Sequence, residues 1–411
     1  MRYNVRMEKF SVAVIGGGAA GLVLATALRS DKKIVVFERG ERVGKKLAAT
    51  GNGQGNLTNA DLRDDAYFSQ NTGDRYALNT ALRRYDNRSF IAYMQALGVL
   101  TVTDEKGRVY PSGRQASALC DALRFAALEK GVTLRLQSQV TSVVKKNDTF
   151  LLRVKTPNGE ERVEAERVVL CAGGKAAKNF GTDGSAYGLA VALGHSVTPL
   201  YPSLVQLKTD VDRIKTLKGI RVADAALTAE WVTNGKRKTH TLRGDVIFTD
   251  YGVSGDAVFR MSAFVADSIQ NGVRLSIDLL PAYTADEIYA ALLAKRQTFE
   301  GRPFEELLCG ILNNQVARAV MKTVEREDLR AAANAVKAFP LTVKGTLGYD
   351  YAQVTKGGIP LCETDTNLQS NNVKGLYFAG EILDVDGECG GYNLQWAYSS
   401  ARTVAAAIDN E

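Results

Sequence analysis

Six residues near the start of the chain, Gly16-Gly17-Gly18-Ala19-Ala20-Gly21, have the types and spacing to cradle the phosphates of a dinucleotide. The pattern G-x-G-x-x-G carries that meaning only between a strand and a helix. Phe10 to Ile15 reads as the strand, and Leu22 to Leu28 continues as a helix of small and apolar residues. Gly16 takes the tight turn, because a residue without a Cβ reaches positive φ freely. Gly18 lets backbone N–H groups approach a pyrophosphate, and Gly21 lets the helix lie close to the strand. The helix N-terminus adds about half a positive charge and unpaired N–H donors, both of which favour phosphate. A second strand, Ile34 to Phe37, ends in Glu38. A carboxylate at that place accepts hydrogen bonds from both ribose hydroxyls and repels a 2′-phosphate.

Downstream, Gly44-Lys45-Lys46-Leu47 leads into Thr50-Gly51-Asn52-Gly53-Gln54-Gly55-Asn56-Leu57-Thr58-Asn59. A loop this rich in glycine and asparagine can follow the far half of a long cofactor. Further blocks are Gly107-Arg108-Val109-Tyr110-Pro111 before a helix from Ser117 to Lys130, Val168-Val169-Leu170-Cys171-Ala172-Gly173-Gly174, and Thr182-Asp183-Gly184-Ser185. The most specific block runs from Gly375-Leu376-Tyr377-Phe378-Ala379-Gly380-Glu381 to Glu388-Cys389-Gly390-Gly391-Tyr392-Asn393-Leu394-Gln395-Trp396. It reads as a strand, a glycine loop and a closing helix from Asn393 to Ile408.

On these blocks, from Val12 to the last helix, the chain resembles the bacterial FAD flavoproteins that include aminoacetone oxidase and a reductase of unsaturated 3-oxo bile acids. These belong to the wider glutathione-reductase-like superfamily. The resemblance implies FAD held in a discontinuous α/β domain of Rossmann type, built from both ends of the chain. It implies cofactor contacts at Gly16, Gly18, Ala19, Ala20, Gly21, Glu38, Arg39, Lys46, Gly53, Asn56, Thr58 and Val140. Ala172, Gly173, Gly174, Gly380, Glu381, Asp386, Gly391, Tyr392, Asn393 and Leu394 complete that set. The N-terminus of the closing helix can then face the flavin pyrimidine edge and stabilise negative charge there. Two positions depart from the family pattern. Gln54-Gly55 replaces its usual Arg-Cys, which removes one cationic contact, and Asp250 stands where many relatives place His.

From about Ser196 to Leu341 the pattern changes, which predicts an inserted substrate domain, β-rich and then helical. The expected division is 1–195 and 342–411 for the FAD domain and 196–341 for the insertion. Val222 to Ile247 is strand-rich around Asn234-Gly235, a strong hairpin signal. Thr284-Ala285-Asp286-Glu287 reads as an N-cap with an acidic first turn, opening a helix to Arg296. Pro303 to Val324 reads as further helix.

Composition narrows the class. A chain of 411 residues with 45% hydrophobic and 24% charged residues is globular. The net charge of +7 is spread without a basic stripe, so no nucleic-acid partner is expected and a small-molecule substrate is. No run of ~18 apolar residues exists, so no membrane span is expected. The short polar segment from Met1 to Lys9 does not read as a signal peptide. Five scattered cysteines and two histidines give no metal-ligand spacing, and reduced thiols fit a cytoplasmic protein. No oligomeric interface is legible. The disulfide reductases of the superfamily carry a C-x4-C pair and a second G-x-G-x-x-G; neither is found here. NADH or NADPH, if used as a transient electron donor, must therefore visit the flavin from an open cleft.

Flavin chemistry on an alkene needs a proton donor near the substrate. Asp250, Tyr251 and Tyr110 are the candidates, with Tyr349 beside them. Three readings follow. One is NAD(P)H-fed reduction of an unsaturated, steroid-like carbonyl compound, which a large insertion favours by walling an apolar pocket. The second is oxidation of a small amine such as aminoacetone by O2. The third is a flavin-bearing binding or RNA-modifying scaffold.

Overall fold

The computed structural model describes residues 7–70, 75–233, 235–325 and 327–411. The chain packs into two compact units, Met1–Tyr201 with Val354–Glu411, and Pro202–Gln353.

A seven-stranded sheet forms the core of the first unit. Glu8–Ile15 lies between Ile34–Phe37 and Gly159–Leu170, all parallel, with Thr133–Arg135 outside Ile34–Phe37. The stretches 12–15, Ile34–Phe37 and 168–170 are almost wholly apolar and buried, as parallel strands shielded on both faces require. Gly159–Leu170 changes partner along its length. Its first half pairs antiparallel with Thr149–Thr156, which pairs in turn with Gln139–Lys146. Its last residues pair in parallel with Leu376–Phe378, which stitches the C-terminal segment into the sheet.

The register fixes where loops emerge. Ile15 is level with Phe37 and with Leu170, and Leu170 is level with Phe378. Four strands therefore end flush, and the loops beginning at Gly16, Glu38, Cys171 and Ala379 open on one edge. That carboxyl edge is where open α/β sheets bind ligands. The first helix is Ala19–Ala27, with Gly18 as an extended N-cap, so Ala19 and Ala20 already belong to its first turn. The last helix, Tyr392–Asp409, packs along it.

The second unit is a closed six-stranded barrel with every neighbour antiparallel. Its order is Leu207–Thr209, Gly252–Ser254, Lys236–Phe248, Arg221–Thr233, Val273–Asp278 and Phe339–Thr346, the last pairing with the first. Alternate residues Ala225, Leu227, Ala229 and Trp231 are buried inside. The two long strands make the expected hairpin; Gly235 has φ +70°, and Asn234 lies outside the described residues.

Both unit boundaries differ from the expected ones. The barrel strand Phe339–Thr346 carries the unit past 341, since a closed barrel that lost this strand would expose two edges. At the other end, Thr198 donates its N–H to Gly358 O at 2.9 Å, which keeps the segment after His195 in the first unit. Helix Ala285–Thr298 begins as read, with Thr284 and Glu287 forming a reciprocal capping box. The stretch Pro303 to Val324 is not one helix. It holds a short turn at Phe304–Glu306 and a helix at Asn314–Met321, because Gly310 sits at φ +87° and Asn313 caps a new start.

Candidate functional site

All the residues expected at the cofactor lie in the sheet unit. The glycines of the turn differ in what a side chain at each position would meet. A Cβ on Gly16, which has φ +110°, would meet the Ala172 Cα at 2.6 Å. A Cβ on Gly21 would overlap the Gly16 carbonyl oxygen. The protein's own packing thus demands both glycines. At Gly18 nothing in the protein lies within 4 Å of that position, and its φ of −82° suits any residue. The space before Gly18 is open, and the helix behind it has no side-chain cap and no acidic residue in its first turn. Its N–H groups are left for an anion.

Glu38 stands beside this opening. Its Oε2 accepts the Gly17 N–H at 3.0 Å and its Oε1 accepts the Gly40 N–H at 2.7 Å. Each oxygen keeps a lone pair for a further donor such as a ribose hydroxyl. Ser138 donates its N–H to the Glu38 carbonyl, which brings the buried Val140 strand to the same corner. Arg39 turns away from Glu38. Its guanidinium bonds Asp183 Oδ2 at 2.6 Å and the Gly181 carbonyl, tying the second strand to the loop before helix Ser185–Ala192. Burial pushes the Asp183 carboxyl up, but the Arg39 and Ser185 hydrogen bonds prevail and bring it down to about 2.

The C-terminal block closes the other side. Gly380, at φ +77°, packs its backbone on Ala20, where a Cβ would come to 2.9 Å. The last helix clamps it: Ser400 Oγ accepts the Gly380 N–H at 2.9 Å, and the Trp396 indole donates to its carbonyl at 3.2 Å. Glu381 pairs with Lys46 at 2.6 Å and accepts the Thr355 N–H at 3.0 Å. Thr355 Oγ1 in turn accepts the N–H groups of Lys175 and Ala176, next to Gly174, which has no room for a Cβ against Thr355. Gly173 has φ +73°. Thr355 carries no motif signal, and only the fold reveals it.

Around the start of the last helix, the Asn393 amide bonds both the N–H and the carbonyl of Gly387, whose neighbour Asp386 is fully buried. Gly391 caps the helix at φ +103°, pressed on the Thr58 backbone. Thr58 donates to the buried Gln395 at 2.6 Å. The Asn56 amide, in the orientation that satisfies its neighbours, accepts the Gly391 N–H at 3.1 Å. Tyr392 reaches back to the Asp61 carbonyl at 2.8 Å. No side chain caps this helix either, and Leu394 lies in its first turn. Two uncapped helix N-termini, open glycine space and a carboxylate beside the first turn fit a long dinucleotide.

Loop 50–55 continues the rim. Gly51, Asn52, Gly53 and Gly55 all have positive φ, and a Cβ on Gly53 would meet nothing. Tyr110, 6% exposed, packs beneath Gly51, and its hydroxyl has no hydrogen-bond partner among the described residues. The Arg114 guanidinium lies 4.6 Å from the Tyr110 ring centroid and donates to Gln54 Oε1 at 3.1 Å. The position where the resemblance removes a cation is thus met by a cation from another loop. Sequence reading missed Arg114; its one signal is its place four residues after Tyr110.

Asp250 and Tyr251 belong to the barrel unit, in the tight turn between Lys236–Phe248 and Gly252–Ser254. Asp250 is not a helix cap: helix Asp256–Val265 starts after Gly255 without one. It is exposed and bonds Lys218 at 2.6 Å, which holds its carboxyl below the ordinary range. At neutral pH it therefore carries no proton to give. His195 is buried between Glu363 and Ser370, at 2.7 and 2.8 Å, as a structural link. Among the described residues no disulfide forms, no group of three or more metal-ligating side chains gathers, and no helix is long and apolar enough to cross a membrane.

Comparison with known proteins agrees with this geometry. Residues 10–407 match the HI0933-like protein Rossmann domain. The 3-dehydro-bile acid delta(4,6)-reductase of Clostridium scindens is 33% identical, over 96% of this chain and 98% of that protein. The ribosomal RNA dihydrouridine synthase of Escherichia coli is 30% identical over 97% and 98%. Among solved structures, the 3-ketosteroid delta1-dehydrogenase of Sterolibacterium denitrificans shares the fold, with a TM-score of 0.55 and 14% identity over 98% of this chain and 100% of that one. The family match over nearly the whole chain, on a sheet edge built for a dinucleotide, shows that this protein belongs to the HI0933-like family of FAD-dependent oxidoreductases.

Proposed function

We propose that this enzyme uses electrons from NADH or NADPH to saturate a carbon–carbon double bond conjugated to a carbonyl in a ring compound of steroid type. The observation that carries the reading is the full-length similarity to a reductase of 3-dehydro bile acids. Bound FAD supplies the hydride in such chemistry. The protein's part is to hold, orient and protonate. In this reading the uncapped helices at Gly18 and Gly391 and the Glu38 carboxylate hold the cofactor, and Lys46 with Glu381 sets the charge beside it. Protonation of the substrate carbon falls to a tyrosine. Tyr110 is the leading donor, since its ring is packed and its hydroxyl is unclaimed by the protein. Tyr251 is the second, and Asp250 contributes charge rather than a proton.

A second reading, reduction of uracil rings in RNA, is favoured by the dihydrouridine synthase relatives and by the exposed Lys236, Arg237 and Lys238 at the barrel hairpin. Both substrates share one chemistry, a ring alkene next to a carbonyl. The test is an anaerobic mix of the flavoprotein with NADH and then NADPH, followed by a 4,6-unsaturated 3-oxo bile acid or unmodified ribosomal RNA. Bleaching of the flavin and its return with saturated steroid supports the first reading. Dihydrouridine in the RNA moves the assignment to the second. Bleaching by aminoacetone alone, with peroxide formed in air, overturns both.

A further inference from the structure

We infer that Arg114 is the group that stabilises the substrate's carbonyl oxygen as negative charge develops there. The inference rests on the reading above, in which the substrate is a conjugated carbonyl compound. Hydride addition to the far carbon of a C=C–C=O unit moves the alkene electron pair toward oxygen, giving an enolate. That enolate takes a proton on the carbon next to the carbonyl, and the product is the saturated carbonyl compound. The hydride comes from the reduced flavin, the proton from a hydroxyl, and the hydroxyl regains its proton from solvent. Such a step needs a fixed positive charge at the oxygen and a proton donor within a few ångströms of it.

Tyr110 and Arg114 supply that pair. The guanidinium lies 4.6 Å from the Tyr110 ring centroid, so cation and hydroxyl belong to one cluster. Gln54 Oε1 accepts from its Nη1 at 3.1 Å, which tethers the exposed guanidinium without neutralising it. An amide oxygen is uncharged, and no carboxylate pairs with Arg114 among the described residues. Arg39 and Arg63, by contrast, are paired with carboxylates: Arg39 with Asp183, and Arg63 with Asp65 and Glu388. A guanidinium has five N–H donors, and among the described residues this one donates a single hydrogen bond to the protein. The Pro111–Arg114 turn that presents it closes with the Arg114 N–H on the Pro111 carbonyl at 2.8 Å and puts Arg114 at φ +46°. Helix Ala116–Glu129 follows at once, with no side-chain cap and no acidic first turn, so its dipole adds to the positive potential. Loop 50–55, which holds Gln54 and packs Gly51 on Tyr110, also carries the expected cofactor contact Gly53.

The experiment uses the FAD-loaded enzyme and a probe that resembles the enolate, 4-nitrophenol, whose colour reports its ionisation. Native protein should lower the pH midpoint of the bound phenol relative to free phenol. Arg114→Gln should move that midpoint back up by about 1 to 2 pH units, and Arg114→Lys should recover most of the difference. With a conjugated 3-oxo steroid, Arg114→Gln should lower kcat by about 100-fold or more with a small change in KM. An unchanged phenol midpoint in Arg114→Gln overturns the inference whatever happens to turnover. So does a change in flavin reduction potential without a change in phenol ionisation, which would place Arg114 on the flavin instead. If native enzyme reduces no conjugated carbonyl but still ionises the phenol through Arg114, the proposed function fails and the oxyanion site stands.

Discussion

The sheet unit and the barrel unit treat the ends of their helices differently. In the barrel unit, Thr284, Asn313 and Asp328 each cap a helix with their own side chains, and only α-helix Asp256–Val265, which has an acidic first turn, lacks such a cap among the described residues. In the sheet unit, Asp86 caps helix Asn87–Ala96, but the helices that start at Gly18 and Gly391 have no side-chain cap, and the first of them opens at the edge where four strands end flush. Leaving orphan N–H groups at a helix end is unfavourable unless something else binds them. The sheet unit defers part of that satisfaction to an anionic ligand. The same contrast appears in the glycines, where Gly16 and Gly21 are required by packing and Gly18 by nothing in the chain.

The glycine contrast gives the largest expected effect. Gly21→Val should destabilise the apoprotein by ~3 kcal/mol or more, read as a fall in the urea midpoint, because its Cβ falls on backbone that cannot move aside. Gly18→Val should leave the apoprotein midpoint within ~0.5 kcal/mol of native and abolish FAD retention. Equal midpoints for the two variants, or a yellow Gly18→Val, would break the contrast.

Removing the cation of the Lys46–Glu381 pair comes next. The two side chains are 24% and 18% exposed, so the pair is neither fully buried nor on the surface. Lys46→Met should cost ~1–2 kcal/mol and weaken FAD binding roughly tenfold, and adding Glu381→Gln should restore part of the stability. In the barrel unit, Thr284→Ala should cost ~1 kcal/mol through its capping box and leave flavin content unchanged.

Acid titration probes the tie between Arg39 and Asp183. The folded carboxyl sits at about 2 against an ordinary value of 3.8, so its stabilisation is complete above that ordinary value. It is lost as pH falls from there toward about 2. With the Asp183 side chain 35% exposed, solvent screening reduces the expected contribution to ~1 kcal/mol. Asp183→Asn should flatten the stability curve in that window and nowhere else. The smallest effect is expected for Asp250→Asn, which should leave flavin content unchanged and alter turnover modestly. Turnover identical to native across pH would remove Asp250 from the chemistry.

Local pattern was enough for the nucleotide half. The strand at Ile34–Phe37, the glycine turn and Glu38 are contiguous features, and their physics is local: periodicity, positive φ and a helix end. The closing helix read as Asn393 to Ile408 is found at Tyr392–Asp409, since its glycine start and apolar stripe are equally local. Pro303 to Val324 failed as a helix because helical composition does not reveal that Gly310 adopts a left-handed turn and Asn313 restarts the chain. Barrel closure by Phe339–Thr346 was illegible for another reason, since the strand's partner, Leu207–Thr209, lies far away in sequence.

What the sequence determined by itself was the cofactor class and the turn that receives it, because those depend on residues within a few positions of one another. Only the tertiary structure decided that Gly380 lies on Ala20, that Thr355 and Glu381 brace the far wall, and that Arg114 stands uncompensated over Tyr110. Those contacts join segments that meet only once the sheet has set its register, and no local spacing encodes that register.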